Sequence, residues 1–214
     1  MSAEAKPIVL IGQYDSPFVR RVGVTLRCYG FPFEHRPWSV WGDAEKLAEL
    51  NPLRRVPTLV LEDGTVLVES TAIIDTLDER AGEKALVPRS GPLRRETLRL
   101  AALSMGVADK AVSLLYEGLL RQAPSQTWID RCRRQINDTL AVLERDRATR
   151  AAPFWFGPDL GHADIAFACA YRFAREAHPT LIQPAQFPTL RAQAARCEDL
   201  DQFRTVYQPI VNNV

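Results

Sequence analysis

At 214 residues, 46% apolar and 25% charged, the chain has an ordinary globular composition and room for one large domain or two small ones. A formal net charge of +1 argues against a dedicated nucleic-acid surface. No apolar run approaches the ~20 residues that a membrane-spanning helix needs.

The opening MSAEAKPIVLIGQ has neither the basic n-region nor the long apolar stretch of a secretory signal, so a reducing cytoplasm is expected. PIVLIGQ reads as a buried strand. PFVRRVGVTLRCYG reads as an amphipathic helix, with Val19, Val22, Leu26 and Tyr29 on one face and Gly30 as its stop. FEHRPW is strand-like, and DAEKLAEL gives a short helix ended by Asn51-Pro52. PTLVLEDGTVLVES places two β-rich runs around Asp63-Gly64, a hairpin signal. STAIIDTLDERAG then predicts a helix capped by Ser70 and stopped by Gly82. The order β-α-β-α-β-β-α implies a partly parallel sheet with an antiparallel hairpin edge.

Residues 83–92, EKALVPRSGP, have linker composition. Everything beyond is helical in pattern. One long helix carries Leu98, Ala101, Ala102 and Met105 along one face, and a second carries Trp128, Ile136, Leu140 and Leu143. ADIAFACAYRFAREA is apolar nearly all round and is expected at the centre, with two shorter helices closing the chain. The expected architecture is an α/β domain over 1–82, a linker over 83–92 and an all-helical domain over 93–214. Cys28, Cys132, Cys169 and Cys197 form no CxxC pair and no metal-ligand spacing, so buried inert thiols and no metal are expected.

Three local signals bear on chemistry. Ser16-Pro17 suits a helix N-cap and first helical position, which is a sufficient structural explanation. The same helix N-terminus, with free N–H groups and a favourable dipole, is also a natural anion site, where a hydroxyl can donate to a thiolate or carboxylate. Pro57 in Arg55-Val56-Pro57-Thr58 enters a strand, which fits an edge, a bulge or a cis peptide. Glu69-Ser70 closes the hairpin and opens a helix. Ser70 as a cap suffices structurally, while a hydroxyl and free N–H groups beside a carboxylate would clamp an α-amino-acid headgroup.

In combination, YDSPFVRRV, NPLRRVPTLVLEDG, VLVESTAIIDTLDE and LGHADIAFACA resemble the cytosolic glutathione S-transferases over nearly the whole chain. The SPF opening is most similar to bacterial enzymes whose catalytic residue is serine. The resemblance implies a thioredoxin-like N-terminal domain, a C-terminal helical bundle that lines the second-substrate pocket, a homodimer and a role in detoxification. It implies that Ser16 donates its hydroxyl to the glutathione sulfur. The Val56 backbone, before a cis Pro57, pairs with the cysteinyl unit, and Glu69 and Ser70 hold the γ-glutamyl amine and carboxylate. Glutathione is then the co-substrate, with no other cofactor, and a small electrophile is its partner. Neither nucleic acid nor membrane is implied.

Two features depart from the family pattern. Gly161 stands where the central helix usually opens with Ser or Thr, so Asp164 has no reciprocal hydroxyl, a loss of a few tenths of a kcal/mol because glycine is a tolerable cap. No motif fixes the group that meets the glycyl carboxylate; Trp38, Trp41, Lys46 and Arg55 are the candidates. His35, His178 and Asp109 read as structural or solvated residues. The resemblance leaves the reaction open: conjugation, a glutathione-dependent isomerisation or dehalogenation, or a non-catalytic protein that binds glutathione or apolar ligands.

Overall fold

The structure is a computed structural model that describes residues 6–183 and 185–210. Residues 1–5, Pro184 and 211–214 lie outside the described residues, and with them the outermost ends of both expected domains. Among the described residues the chain divides into two compact units. One takes the chain up to Ala85 together with the segment that begins at Thr205, and the other runs from Leu86 to Arg204. The break falls inside the expected linker, but the segment after Arg204 departs from the helical assignment over 93–214. Val206 is fully buried in the first unit, where a Cβ added to Gly23 would stand 2.8 Å from its Cγ1.

The first unit has the expected order: β1 (Ile8–Ile11), α1 (Pro17–Tyr29), β2 (Phe33–Arg36), α2 (Ala44–Leu50), β3 (Thr58–Val60), β4 (Val66–Val68) and α3 (Ser70–Ala81). β1 runs parallel to β2, with Ile11 opposite Arg36. It runs antiparallel to β3, with Ile11 opposite Thr58, and β3 runs antiparallel to β4, with Thr58 opposite Val68. The sheet order is β2-β1-β3-β4. Alternate β1 side chains face opposite ways. Val9 and Ile11 pack with Leu47 of α2, ringed by Trp38, Val40, Leu50, Val56 and Val60. Leu10 lies under α1 beside Gly23. Val19, Val22 and Leu26 of α1 are fully buried. Gly30 ends that helix at φ 68, where a left-handed residue turns the chain at no Cβ cost.

A 3-10 turn over Gly82–Lys84 leads to the second unit: α4 (Gly91–Leu120), α5 (Gln126–Ala148), α6 (His162–Ala177), α7 (Pro188–Glu198) and α8 (Asp201–Arg204). α4 therefore begins two residues inside the expected linker. α6 is central, buried without interruption from His162 to Ala174, and packs against α4 and α7. On α5 the expected face is buried at Ile136, Leu140 and Leu143 but only partly buried at Trp128. On α4 the buried face is offset from the expected one: Thr97, Leu100, Ala101, Ser104, Ala108 and Ala111 turn inward, while Leu98 is 41% exposed. Small residues let α4 approach α6 closely, and that contact outweighs burial of the larger side chains on the neighbouring stripe.

At the start of α6, Asp164 accepts the Gly161 N–H at 3.2 Å, one half of a capping box whose other half a glycine cannot supply. Cys132, Cys169 and Cys197 are buried, whereas Cys28 is half-buried. Among the described residues no helix is long and apolar enough to cross a membrane, and no group of three or more His, Cys, Asp or Glu side chains is arranged to hold a metal ion.

Candidate active site

The strand pairings put three loops at one end of the sheet. Ile11, Thr58 and Val68 lie in register across β1, β3 and β4. The residues just beyond them are the Gly12–Ser16 turn, Val56-Pro57 and Glu69-Ser70. The sequence-predicted site residues, spread along the chain from Ser16 to Ser70, thus leave the sheet at the same end.

Ser16 is the N-cap of α1 and Pro17 its first helical residue. The Ser16 side chain is partly exposed, and its Oγ accepts the Val19 N–H at 3.4 Å, a long and weak bond. That bond uses a lone pair and leaves the hydroxyl proton to donate elsewhere. Both roles read from Ser16-Pro17, helix cap and hydroxyl donor to an anion, are compatible in this geometry.

The Val56–Pro57 peptide is cis, one of the arrangements left open at that proline. Gly12, at φ 128, lies so close to this segment that a Cβ would stand 2.7 Å from Val56 Cβ and 2.6 Å from Val19 Cγ2. Only glycine fits there, and its absence of a side chain brings Val56 against the first turn of α1. Asn51, 1% exposed, organises the loop from within. Its Nδ2 donates to the Arg55 carbonyl at 2.9 Å and to Thr58 Oγ1 at 3.1 Å, and its Oδ1 accepts the Leu53 N–H at 3.0 Å.

The third loop corrects an expectation. Ser70 is the first residue of α3, not its cap; Glu69 caps the helix, with its side chain accepting the Thr71 N–H at 3.0 Å. Glu69 holds φ 72, a conformation that costs a non-glycine residue of order 1–3 kcal/mol and that concentrates at functional sites. Ser70 is 1% exposed, and its Oγ accepts from Arg21 Nη1 at 3.4 Å. A guanidinium can only donate, so this contact occupies an Oγ lone pair and sets a positive charge behind the α3 N-terminus.

The remaining candidates separate by exposure and partners. Trp38 packs on the Val9–Ile11–Leu47 cluster, and Trp41 is 45% exposed. Lys46 pairs with Asp43 at 2.7 Å. Arg55 is exposed, and among the described residues its guanidinium makes no ion pair. His35 stacks on Tyr14, with ring centroids 3.7 Å apart, and its Nε2 donates to the Gly12 carbonyl at 2.8 Å. Burial pushes the Tyr14 hydroxyl up to about 12, too high for it to serve as a base. His178 donates to the Ala111 carbonyl at 2.8 Å, and Asp109 pairs with Lys110 at 2.8 Å; both are structural or surface roles, as read. Gly12, Arg21 and Asn51 escaped the sequence reading. Gly12 carries no local mark, Arg20-Arg21 looks like a solvated pair on a helix, and Asn51-Pro52 signals only a helix end.

The chain is similar to known proteins in both halves. The N-terminal domain pattern of the glutathione S-transferases matches residues 10–85, and the C-terminal domain pattern matches residues 126–196. Glutathione S-transferase U28 of Arabidopsis thaliana is 24% identical over 99% of this chain and 96% of its own. A glutathione transferase family member of Pseudomonas fluorescens, solved with bound glutathione, superposes with a TM-score of 0.84 at 31% identity, covering 95% of this chain and all of that one (100%). A glutathione S-transferase of Methylobacterium radiotolerans in complex with glutathione sulfonate gives a TM-score of 0.88 at 26% identity, over 98% of this chain and 100% of that one. With both domains matched in order, and with a 31% identical relative covered from end to end, the chain belongs to the glutathione S-transferase family.

Proposed function

We propose that the protein binds glutathione at the sheet end flanked by Ser16, Val56-Pro57 and Glu69-Ser70 and joins the intact glutathione, through its sulfur, to a small electrophile. The observation that carries this reading is the partly exposed Ser16 at the N-terminus of a thirteen-residue helix, its hydroxyl proton not used by the capping bond. A thiol attacks as its thiolate, and a free thiol has a pKa of ~8.5. Lowering it to about 7 requires roughly 2 kcal/mol of preferential anion stabilisation. One charge-assisted hydrogen bond contributes about 1.5–3 kcal/mol, and the helix dipole up to about 1 kcal/mol more.

The thiol proton leaves to solvent. The sulfur lone pair then forms the C–S bond while the electrophile's leaving group departs with the bonding pair. Ser16 keeps its own proton throughout and acts as a donor, not as a nucleophile. The Val56 backbone would pair with the cysteinyl unit. Glu69 would meet the γ-glutamyl ammonium, and the carboxylate would meet the first turn of α3, backed by the Arg21 charge. For the glycyl carboxylate we favour Arg55, the candidate whose guanidinium is exposed and makes no ion pair among the described residues. The dimer implied by the resemblance belongs to the same reading and is checked by analytical ultracentrifugation.

The test is an ultraviolet titration of bound glutathione thiolate in wild type and Ser16→Ala, with turnover of chlorodinitrobenzene measured alongside. A bound-thiol pKa below the free value in wild type, returning toward it in the variant as turnover collapses, supports the reading. Binding without any pKa shift would leave a glutathione-binding protein instead.

A further inference from the structure

The chain beyond α8 carries no periodic pattern, yet it returns to the first unit. The Val206 carbonyl accepts from Nε of the buried Arg20 at 2.8 Å, and the Val206 side chain is fully buried against Gly23 of α1. These contacts anchor the segment on α1 and bring Gln208 to the turn that presents Ser16. There Gln208 Oε1 accepts the Tyr14 N–H at 3.1 Å, across 194 positions of sequence.

Several other contacts of that turn are local. The Gly12 N–H donates to the Arg36 carbonyl at 2.9 Å, the Ser16 N–H to the Gln13 carbonyl at 3.2 Å, and the Arg20 N–H to the Ser16 carbonyl at 2.9 Å. His35 bonds the Gly12 carbonyl and stacks on Tyr14. Each of these partners lies on β1, β2, α1 or the turn itself. The Tyr14 N–H, two residues before Ser16, takes its acceptor from the far end of the chain. We propose that Gln208 is a positioning residue for Ser16: the segment Thr205–Gln208 is a strap that fixes the turn and hence the Ser16 hydroxyl. The proposal rests on the Ser16 reading above. A donor to a thiolate acts through its distance and direction, so a turn free to rotate the Tyr14 amide toward water disperses the hydroxyl over unproductive positions.

Gln208→Met keeps side-chain length but removes the acceptor, whereas Gln208→Glu restores an acceptor oxygen. Three quantities are measured in wild type and both variants: the ultraviolet pKa of bound glutathione thiol, kcat and KM with chlorodinitrobenzene, and amide exchange at Tyr14. Gln208→Met should raise the bound-thiol pKa toward that of free glutathione, speed exchange at Tyr14 and lower kcat about fivefold, the factor expected for one ordinary hydrogen bond. KM for glutathione should stay unchanged, and Gln208→Glu should recover most of the loss. A lowered thiol pKa in wild type that persists in Gln208→Met overturns the strap alone. Wild type without any lowered thiol pKa overturns the Ser16 reading and the strap with it.

Discussion

Replacing Asp164 with asparagine separates the forces acting on the first turn of α6. The carboxyl is 1% exposed. It accepts the Trp155 N–H at 3.0 Å, Gln193 Nε2 at 2.7 Å and the Gly161 N–H at 3.2 Å. These donors and the charge of Arg147 favour the anion, but loss of water outweighs them and pushes the group from 3.8 up to about 6. A carboxyl raised in the fold holds its proton more tightly there than in the unfolded chain. Its contribution to stability therefore grows as pH falls through 6 and is complete below 3.8. The whole span is worth roughly 3 kcal/mol, of which about 1 kcal/mol accrues between about pH 7 and about pH 5. Asparagine keeps one acceptor oxygen but cannot titrate, and its amide turns donors toward donors, costing about 1–3 kcal/mol at neutral pH. Urea unfolding, followed by far-ultraviolet circular dichroism at both pH values, reads the double difference. Wild type should gain about 1 kcal/mol on Asp164→Asn between the two; an equal pH response in both proteins would refute the reasoning.

Other outcomes follow from single contacts. Gly12→Ala places a Cβ 2.6 Å from Val19 Cγ2 and 2.7 Å from Val56 Cβ at φ 128. Overpacking and backbone strain together should cost about 2–5 kcal/mol in chemical denaturation, and a cost within experimental error would sink the close-approach account. Arg55→Gln should raise KM for glutathione about tenfold, the loss of one charge-assisted bond, with kcat nearly unchanged in steady-state kinetics. A fall in kcat at constant KM would remove Arg55 from the glycyl carboxylate.

The features legible in the sequence are those whose physics is local. Ser16-Pro17 and Gly30 bound α1 because capping groups act within one helical turn. Asp63-Gly64 closes the β3–β4 hairpin, with Asp63 Oδ1 accepting the Thr65 N–H at 2.8 Å and Gly64 at φ 87, because a turn is decided by the residues inside it. The nearly all-round apolarity of α6 pointed to its central place, since a helix apolar over most of its circumference must be covered by protein on most sides. The order of elements and the motifs at their joints were enough to carry the family resemblance and the three loops of the candidate site. The remainder depends on how distant elements pack. Leu98 faces outward because the small residues of α4 pack on α6, a choice between two adjacent stripes that periodicity ranks equally. Ser70 gave up the cap to Glu69, and its hydroxyl turned to Arg21, which reaches it from another helix 49 positions away. Gln208 meets Tyr14 across nearly the whole chain. Such contacts leave no local mark, because which distant residue satisfies a buried N–H or lone pair depends on how whole elements pack, and that is settled only once the fold has formed.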